Sequence, residues 1–307
     1  MSAATEVARG GRDLSVGLLC IGLIIAIWSG FQLASRFGTR SGMNAADLAA
    51  LRFSISGVLM LPWFVRHGLH GIGLPRAVAL AATGGLGFGT LAFVGFMFAP
   101  ANHAAVLMSG SLPLFTTLAA SLLIGETLGP LKRLGLALIV AGIALIGVES
   151  FAGSGLGYWR SDLCFLAAAI SWSLFTVACR AWRVAPQQGA IVVCTLSLFL
   201  YMPVYLLFMT PRFAELPAGE LMFQMVYQGV IATIVTIFAY TRAVASLGAA
   251  TATMMTAAVP GIVTLAAAPL LDETPSWFAL AGVAIVTLGM IATVLTLGSA
   301  HGKPKPT

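Results

Sequence analysis

Ten stretches of the chain, each about 20 residues long and predominantly apolar, dominate its 307 residues, and a run of that length is what an α-helix needs to cross the hydrocarbon core of a bilayer. They fall at roughly 14–35, 45–65, 76–98, 102–124, 131–149, 159–181, 188–209, 221–245, 249–271 and 276–298. In hydrocarbon each backbone N–H and C=O has to be satisfied without water, so runs of this kind fold as helices. A water-soluble alternative is excluded by composition: 59% of the residues are apolar and 8% charged, where soluble domains carry about 25% charged residues. The expected fold class is all-α, a polytopic membrane protein of ten transmembrane helices. The apolar run from Leu14 to Phe31 is longer than the apolar core of a removed signal peptide and reads as the first span. Pro100 predicts a turn between the third and fourth.

The net charge of +6 comes from Lys and Arg scattered in ones and twos, with no basic stripe to track phosphates, so nucleic acid is not an expected partner. The basic residues serve instead as topology signals. With the N-terminus inside, Arg9, Arg12, Arg66, Arg76, Lys132, Arg133, Arg180, Arg183, Arg242, Lys303 and Lys305 fall on the cytoplasmic side, and only Arg36, Arg40, Arg160 and Arg212 outside. That count of 11 against 4 predicts cytoplasmic termini. Cys20, Cys164, Cys179 and Cys194 lie in apolar stretches without C-x-x-C spacing, so neither a disulfide framework nor a metal site is expected. No soluble domain is left over for a cofactor.

An internal repeat carries most of the functional information. At an offset of 144, Cys20, Trp28, Ser29, Phe31, Ala34 and Arg36 match Cys164, Trp172, Ser173, Phe175, Ala178 and Arg180. At an offset of 147, Pro113, Leu118, Ala119, Ala120, Leu123, Glu126, Thr127, Gly135 and Gly142 match Pro260, Leu265, Ala266, Ala267, Leu270, Glu273, Thr274, Gly282 and Gly289. The halves are 1–150 and 151–307, five spans each. Because five is odd, the second half enters the membrane upside down, the inverted-repeat arrangement of transporters with a site between the halves near the midplane.

The motifs that carry this repeat resemble those of the drug/metabolite transporter superfamily, specifically its ten-helix EamA type. They are Trp28-Ser29-Gly30-Phe31 in the first span, Leu51-Arg52-Phe53 in the second, and a third, longer stretch. The last comprises Ala104-Ala105-Val106-Leu107, Pro113-Leu114-Phe115-Thr116, Gly125-Glu126-Thr127-Leu128, Gly135-Leu136-Ala137-Leu138 and Ala141-Gly142-Ile143, echoed from Ala250 to Ile291. The resemblance implies export or exchange of small metabolites across a bacterial inner membrane, with amino-acid exporters the expected branch. The second half departs from the first at Arg52, whose repeat partner is Leu196.

Several residues inside spans are candidates for the solute cavity. Trp63, Trp159, Trp182 and Trp277 lie at span ends, where indoles sit at the headgroup level; Trp28 and Trp172 lie well inside, facing either helix neighbours or a cavity near opposite gates. Arg52 lies about 12 Å below the outer end of its span. It is expected to snorkel or to pair with Asp47, with contact to a substrate carboxylate the sharper alternative. Gln32, Ser109, Tyr227, Gln228, Thr236 and Tyr240 could orient a solute, although helix-to-helix hydrogen bonds are the commoner use of such residues. His103 is a further cavity candidate, although an interfacial loop position is the preferred reading, and Glu126 and Glu273 read as partners of helix N-termini on opposite sides of the membrane. Gly85 and Gly89 in the third span, with Pro113 and Pro260 in the fourth and ninth, mark close approach or bending. The fifth and tenth spans read as outer packing helices.

No Asp or Glu falls in the middle third of a span. That favours facilitated movement of a net-neutral solute, most simply a neutral or aromatic amino acid, over a proton-coupled multidrug exporter of hydrophobic cations. An intramembrane enzyme would need a nucleophile and base at common depth, a pattern the sequence does not offer. The expected partners are a small-molecule substrate and the lipid bilayer, with no obligate protein partner.

Overall fold

The computed structural model describes residues 3–69, 71–126, 128–152 and 158–299; Thr127, Lys303 and Lys305 lie outside them. Among the described residues ten helices are long and apolar enough to span a membrane: α1 (Asp13–Arg40), α2 (Ala45–His67), α3 (Leu74–Phe98), α4 (Ala101–Ile124), α5 (Pro130–Phe151), α6 (Trp159–Ala181), α7 (Pro186–Phe208), α8 (Ala218–Leu247), α9 (Thr251–Leu271) and α10 (Trp277–Leu295). These agree with the apolar runs to within a few residues except at the end of α1. There the helix continues through Arg36 to Arg40, so Arg36 is a helical residue and not part of a loop. Pro100 does make the turn between α3 and α4: Ala99 is extended and Pro100 caps α4. The connections α1–α2, α3–α4, α5–α6, α7–α8 and α9–α10 share one end of the bundle, termed the α1–α2 end; the other four share the terminal end.

The two halves interleave as inverted repeats. The first helix of each half packs on the third and fourth of the other, α1 on α8 and α9, α6 on α3 and α4, while α2 packs on α7 and α5 on α10. The last pair carries the symmetry in its glycines. A Cβ on Gly135 would lie 2.7 Å from the Gly289 carbonyl, and one on Gly142 would lie 2.9 Å from that of Gly282. The offset of 147 turns the first contact into the second, so the backbones cross antiparallel about a twofold axis. Side-chain-free positions let helices approach this closely where lipid supplies no hydrophobic drive.

Helical irregularity concentrates in α3, α4, α8 and α9. The turns are wide, of π type, at Ala81–Gly87, Ala105–Gly110 and Met225–Val235, and tight, of 3₁₀ type, at Thr256–Ala258 just before Pro260. In α3 the cause is close packing: Cβ atoms on Gly84, Gly85 and Gly87 would strike Phe175, Ser197 and Ser171, and one on Gly89 would lie 2.9 Å from Phe53. In α8 the Thr233 and Thr236 hydroxyls donate to the carbonyls of Gln228 and Ile231, five residues back, which satisfies backbone that a wide turn loosens.

Gly289→Ala is expected to cost about 1–3 kcal/mol of stability, because its Cβ meets backbone that cannot yield. Gly282→Ala, whose Cβ would sit 3.3 Å from the Gly142 carbonyl, is expected to cost less. Thermal unfolding in detergent of the two variants gives the comparison.

Candidate functional site

The two repeat-matched glutamates are aimed by identical local structure. Helices α4 and α9 end at Gly125 (φ 71°) and Asp272 (φ 53°), both left-handed, the conformation of a helix C′ residue that Gly adopts freely and Asp tolerates. The next residue folds back in each, Glu126 N–H donating to Ala120 O and Glu273 N–H to Ala267 O, both at 3.3 Å. Each bond closes six residues back around a left-handed residue, one residue wider than a Schellman closure, and it points each carboxylate across the bundle.

Each glutamate then meets an arginine of the other half. Arg36 Nε donates to Glu273 Oε1 at 2.6 Å, and Arg180 donates to Glu126 Oε2 at 3.2 Å. Arg36 and Arg180 are themselves repeat-matched, so these are one ion pair seen twice, at opposite ends. Their surroundings differ. At the α1–α2 end the side chains of Arg36 and Glu273 are only 15% and 12% exposed; Arg36 also reaches Phe96 O, and the second Glu273 oxygen accepts Ala101 N–H at 2.8 Å. At the terminal end Arg180 is 52% exposed, and Glu126 is shared with Lys132 Nζ at 3.0 Å. Among the described residues the expected contact with a helix N-terminus is found for Glu273, and both glutamates form ion pairs.

The Lys132 hydrogen bond, helped by Arg180, holds the Glu126 carboxyl below the usual range. A depressed carboxylate contributes stability above its unfolded pKa and loses it as pH falls through its folded one. Glu126→Gln is accordingly expected to lower the unfolding temperature at neutral pH by about 1–2 °C, the scale of a partly exposed pair. The difference from wild type should close on acidification below the ordinary carboxylate range.

Arg52 neither snorkels nor pairs with Asp47. Five residues apart on a helix, the two point about 140° apart; Asp47 instead accepts from the Tyr205 hydroxyl. The Arg52 guanidinium is buried over the Phe31 and Phe88 rings, 5.2 and 5.9 Å from their centroids, a cation–π seat. Among the described residues no carboxylate lies within ion-pairing distance of it. The Phe88 ring also meets Trp172, at 4.9 Å, so Arg52 and Trp172 share one aromatic cluster. Trp28 stacks on Tyr240 at 5.8 Å. Both tryptophans thus contact the third helix of the other half.

The polar candidates are joined to neighbouring helices. Gln32 donates to Ser109, Gln228 to Ser35 and Gln224, Tyr227 to Ile27 O, and Thr236 to its own helix. Gln32 Oε1 and Gln228 Oε1 remain buried without a partner. Tyr227 also lines an apolar groove of about 500 Å³ between α1, α8 and α9, with Phe37, Phe223 and Leu270.

His103 overturns the loop reading. It is a fully buried residue in the first turn of α4, with Nδ1 2.8 Å from Asp162 Oδ1. Asp162 and Glu149 were not singled out from the sequence. Their positions at span ends hide them, because hydropathy does not separate an end packed on protein from one facing water.

The EamA-like transporter family model matches residues 15–148 and 159–295, and the chain belongs to that family. Over 93% of its length it is 28% identical to a probable terminal-alkyne amino-acid exporter of Streptantibioticus cattleyicolor, covering 96% of that protein. A solved crystal structure, described only as that of a protein, matches with a TM-score of 0.62 at 23% identity, covering 96% of this chain and 99% of that one. The likeness is one of fold. The chain is a multi-pass membrane transporter.

Proposed function

We propose that the protein exports small neutral metabolites, most simply neutral or aromatic amino acids, by alternating access. The observation that carries this reading is Arg52: a guanidinium buried among aromatic rings, with no carboxylate among the described residues to neutralise it. A buried charge calls for a counter-ion, and an amino acid's carboxylate is one. The Phe31, Phe88 and Trp172 rings offer an apolar surface for its side chain, and the alkyne-bearing amino-acid cargo in the relative's name fits the same chemistry. A hydrophobic cation would be repelled by Arg52, which weighs against the multidrug alternative.

In this reading the repeat-related ion pairs are the two gates. Arg36–Glu273 closes the α1–α2 end and Arg180–Glu126 the terminal end, and the irregular turns beside Gly85, Gly89, Pro113 and Pro260 let α3, α4, α8 and α9 bend between states. The tighter burial of the first pair fits a molecule closed at the α1–α2 end. The excess of basic residues in the terminal-end connections orients that end, with both chain termini, toward the cytoplasm of a bacterial inner membrane. Movement follows the solute's own gradient, since the middle of each span lacks a carboxylate to carry a proton across.

The test is counterflow in proteoliposomes preloaded with neutral amino acids, at equal pH on both sides and then under a proton gradient. Uptake without the gradient is expected; gradient-dependent uptake of cationic dyes alone would overturn the proposal. Arg52→Gln should raise KM roughly 10- to 100-fold, the scale of one lost charge-assisted hydrogen bond. An unchanged KM would remove Arg52 from the site.

A further inference from the structure

At the α1–α2 end three helices bring together His103 at the start of α4, Glu149 and Ser150 at the end of α5, and Asp162 at the start of α6. Asp162 Oδ1 takes the His103 Nδ1 contact at 2.8 Å, and its other oxygen accepts from the Ser150 hydroxyl. One imidazole nitrogen is thereby fixed as the donor, because an ionised carboxylate only accepts. The other, Nε2, faces Glu149 Oε2 at 3.9 Å. Both atoms are buried, and neither has a hydrogen-bond partner. With neutral imidazole and ionised Glu149, two buried lone pairs confront each other, an arrangement that costs free energy.

One proton resolves it. We infer that His103, Glu149 and Asp162 form a proton-binding site, in which an imidazolium donates from Nδ1 to Asp162 and from Nε2 to Glu149. In that state a single cation ties α4 to both α5 and α6, across the seam between the halves. The first turn of α4 is also held from α9, through the Glu273 oxygen that accepts Ala101 N–H, so the site and the Arg36–Glu273 pair clamp the same turn. The titratable and charged groups around it are Asp162 of α6, Glu149 of α5, Tyr158 with its ring 5.3 Å from the imidazole, Glu273 of α9, and Arg36 of α1 held by Glu273.

The proton therefore acts on one gate. Bound, it stabilises the closed α1–α2 end; released, it leaves that end held by fewer bonds. Acidity slows opening while the cargo's gradient still drives transport, which separates this role from proton coupling. The inference rests on the alternating-access reading, so the primary test uses no solute.

Deuterium uptake is measured on the full chain in detergent, corrected for intrinsic exchange, in peptides covering 101–108 and 160–167. Wild type is expected to exchange these segments several-fold more slowly at about pH 5.5 than at about pH 8, the range that spans an imidazole titration. His103→Gln, which cannot ionise, should show no such step. Glu149→Gln, whose amide can donate to neutral Nε2, should show slow exchange at both pH values. An equal step in His103→Gln, or a wild-type profile without one, overturns the site; should His103→Gln not fold, the wild-type and Glu149→Gln profiles decide. Counterflow of a neutral amino acid at equal pH on both sides gives the second readout, slower in acid for wild type and flat for His103→Gln. A failure to find any transported amino acid while the exchange step is present would count against the substrate proposal alone.

Discussion

Two glutamates thrown across the bundle by left-handed helix ends, each onto an arginine of the opposite half, set the relation between the two repeats. In lipid, packing alone distinguishes poorly between one apolar helix face and another, since chains of lipid are as apolar as leucine. A charge near a span end does discriminate, because leaving it unpaired beside hydrocarbon is costly. The crossed pairs Arg36–Glu273 and Arg180–Glu126 join the start of each half to the end of the fourth helix of the other. Once those ends are joined, α1 has to lie along α9 and α6 along α4, as they do. The antiparallel glycine contacts of α5 and α10 then close the far side on the same axis.

The sequence made the spans and the repeat legible for direct physical reasons. An apolar run of membrane length has one foldable form, and residues that build the same contact twice, such as Gly135 with Gly282 and Glu126 with Glu273, recur at fixed offset. What it did not disclose was pairing. Which arginine meets which glutamate depends on the interleaving of halves, a tertiary fact with no local signature. His103 next to Pro100 has the appearance of a connection residue, and its burial follows from α5 and α6 ending beside it. The wide turn in α3 was foreshadowed by its glycines, but its position depends on Phe175, Ser197 and Ser171 of other helices.

Symmetry also sorts structure from chemistry. Repeat-matched residues build the frame: the capping glutamates, their arginines, the packing glycines, the prolines. The groups with unusual electrostatics break the match. Arg52 corresponds to Leu196, His103 to Ala250, and Asp162 to Leu18. A frame with two equivalent ends can open either way with equal cost, so directionality and substrate recognition have to come from groups present once. The buried cation over Phe31 and Phe88 and the buried imidazole at the α1–α2 end are such groups.

Their depths assign them different work. Arg52 lies among rings contributed by both halves, and in the proposed export cycle its permanent charge is useful because an opposite charge arrives and leaves with the cargo. His103 lies buried within the first turn of its helix and is bonded across the seam that, in the proposed cycle, parts for the α1–α2 end to open. A group at that depth bears on the opening step rather than on the solute. The terminal-end pair is built differently: Glu126 is shared between a nearly buried Lys132 and a half-exposed Arg180, so breaking one contact leaves the other in place, whereas Glu273 is held by one arginine and a backbone N–H.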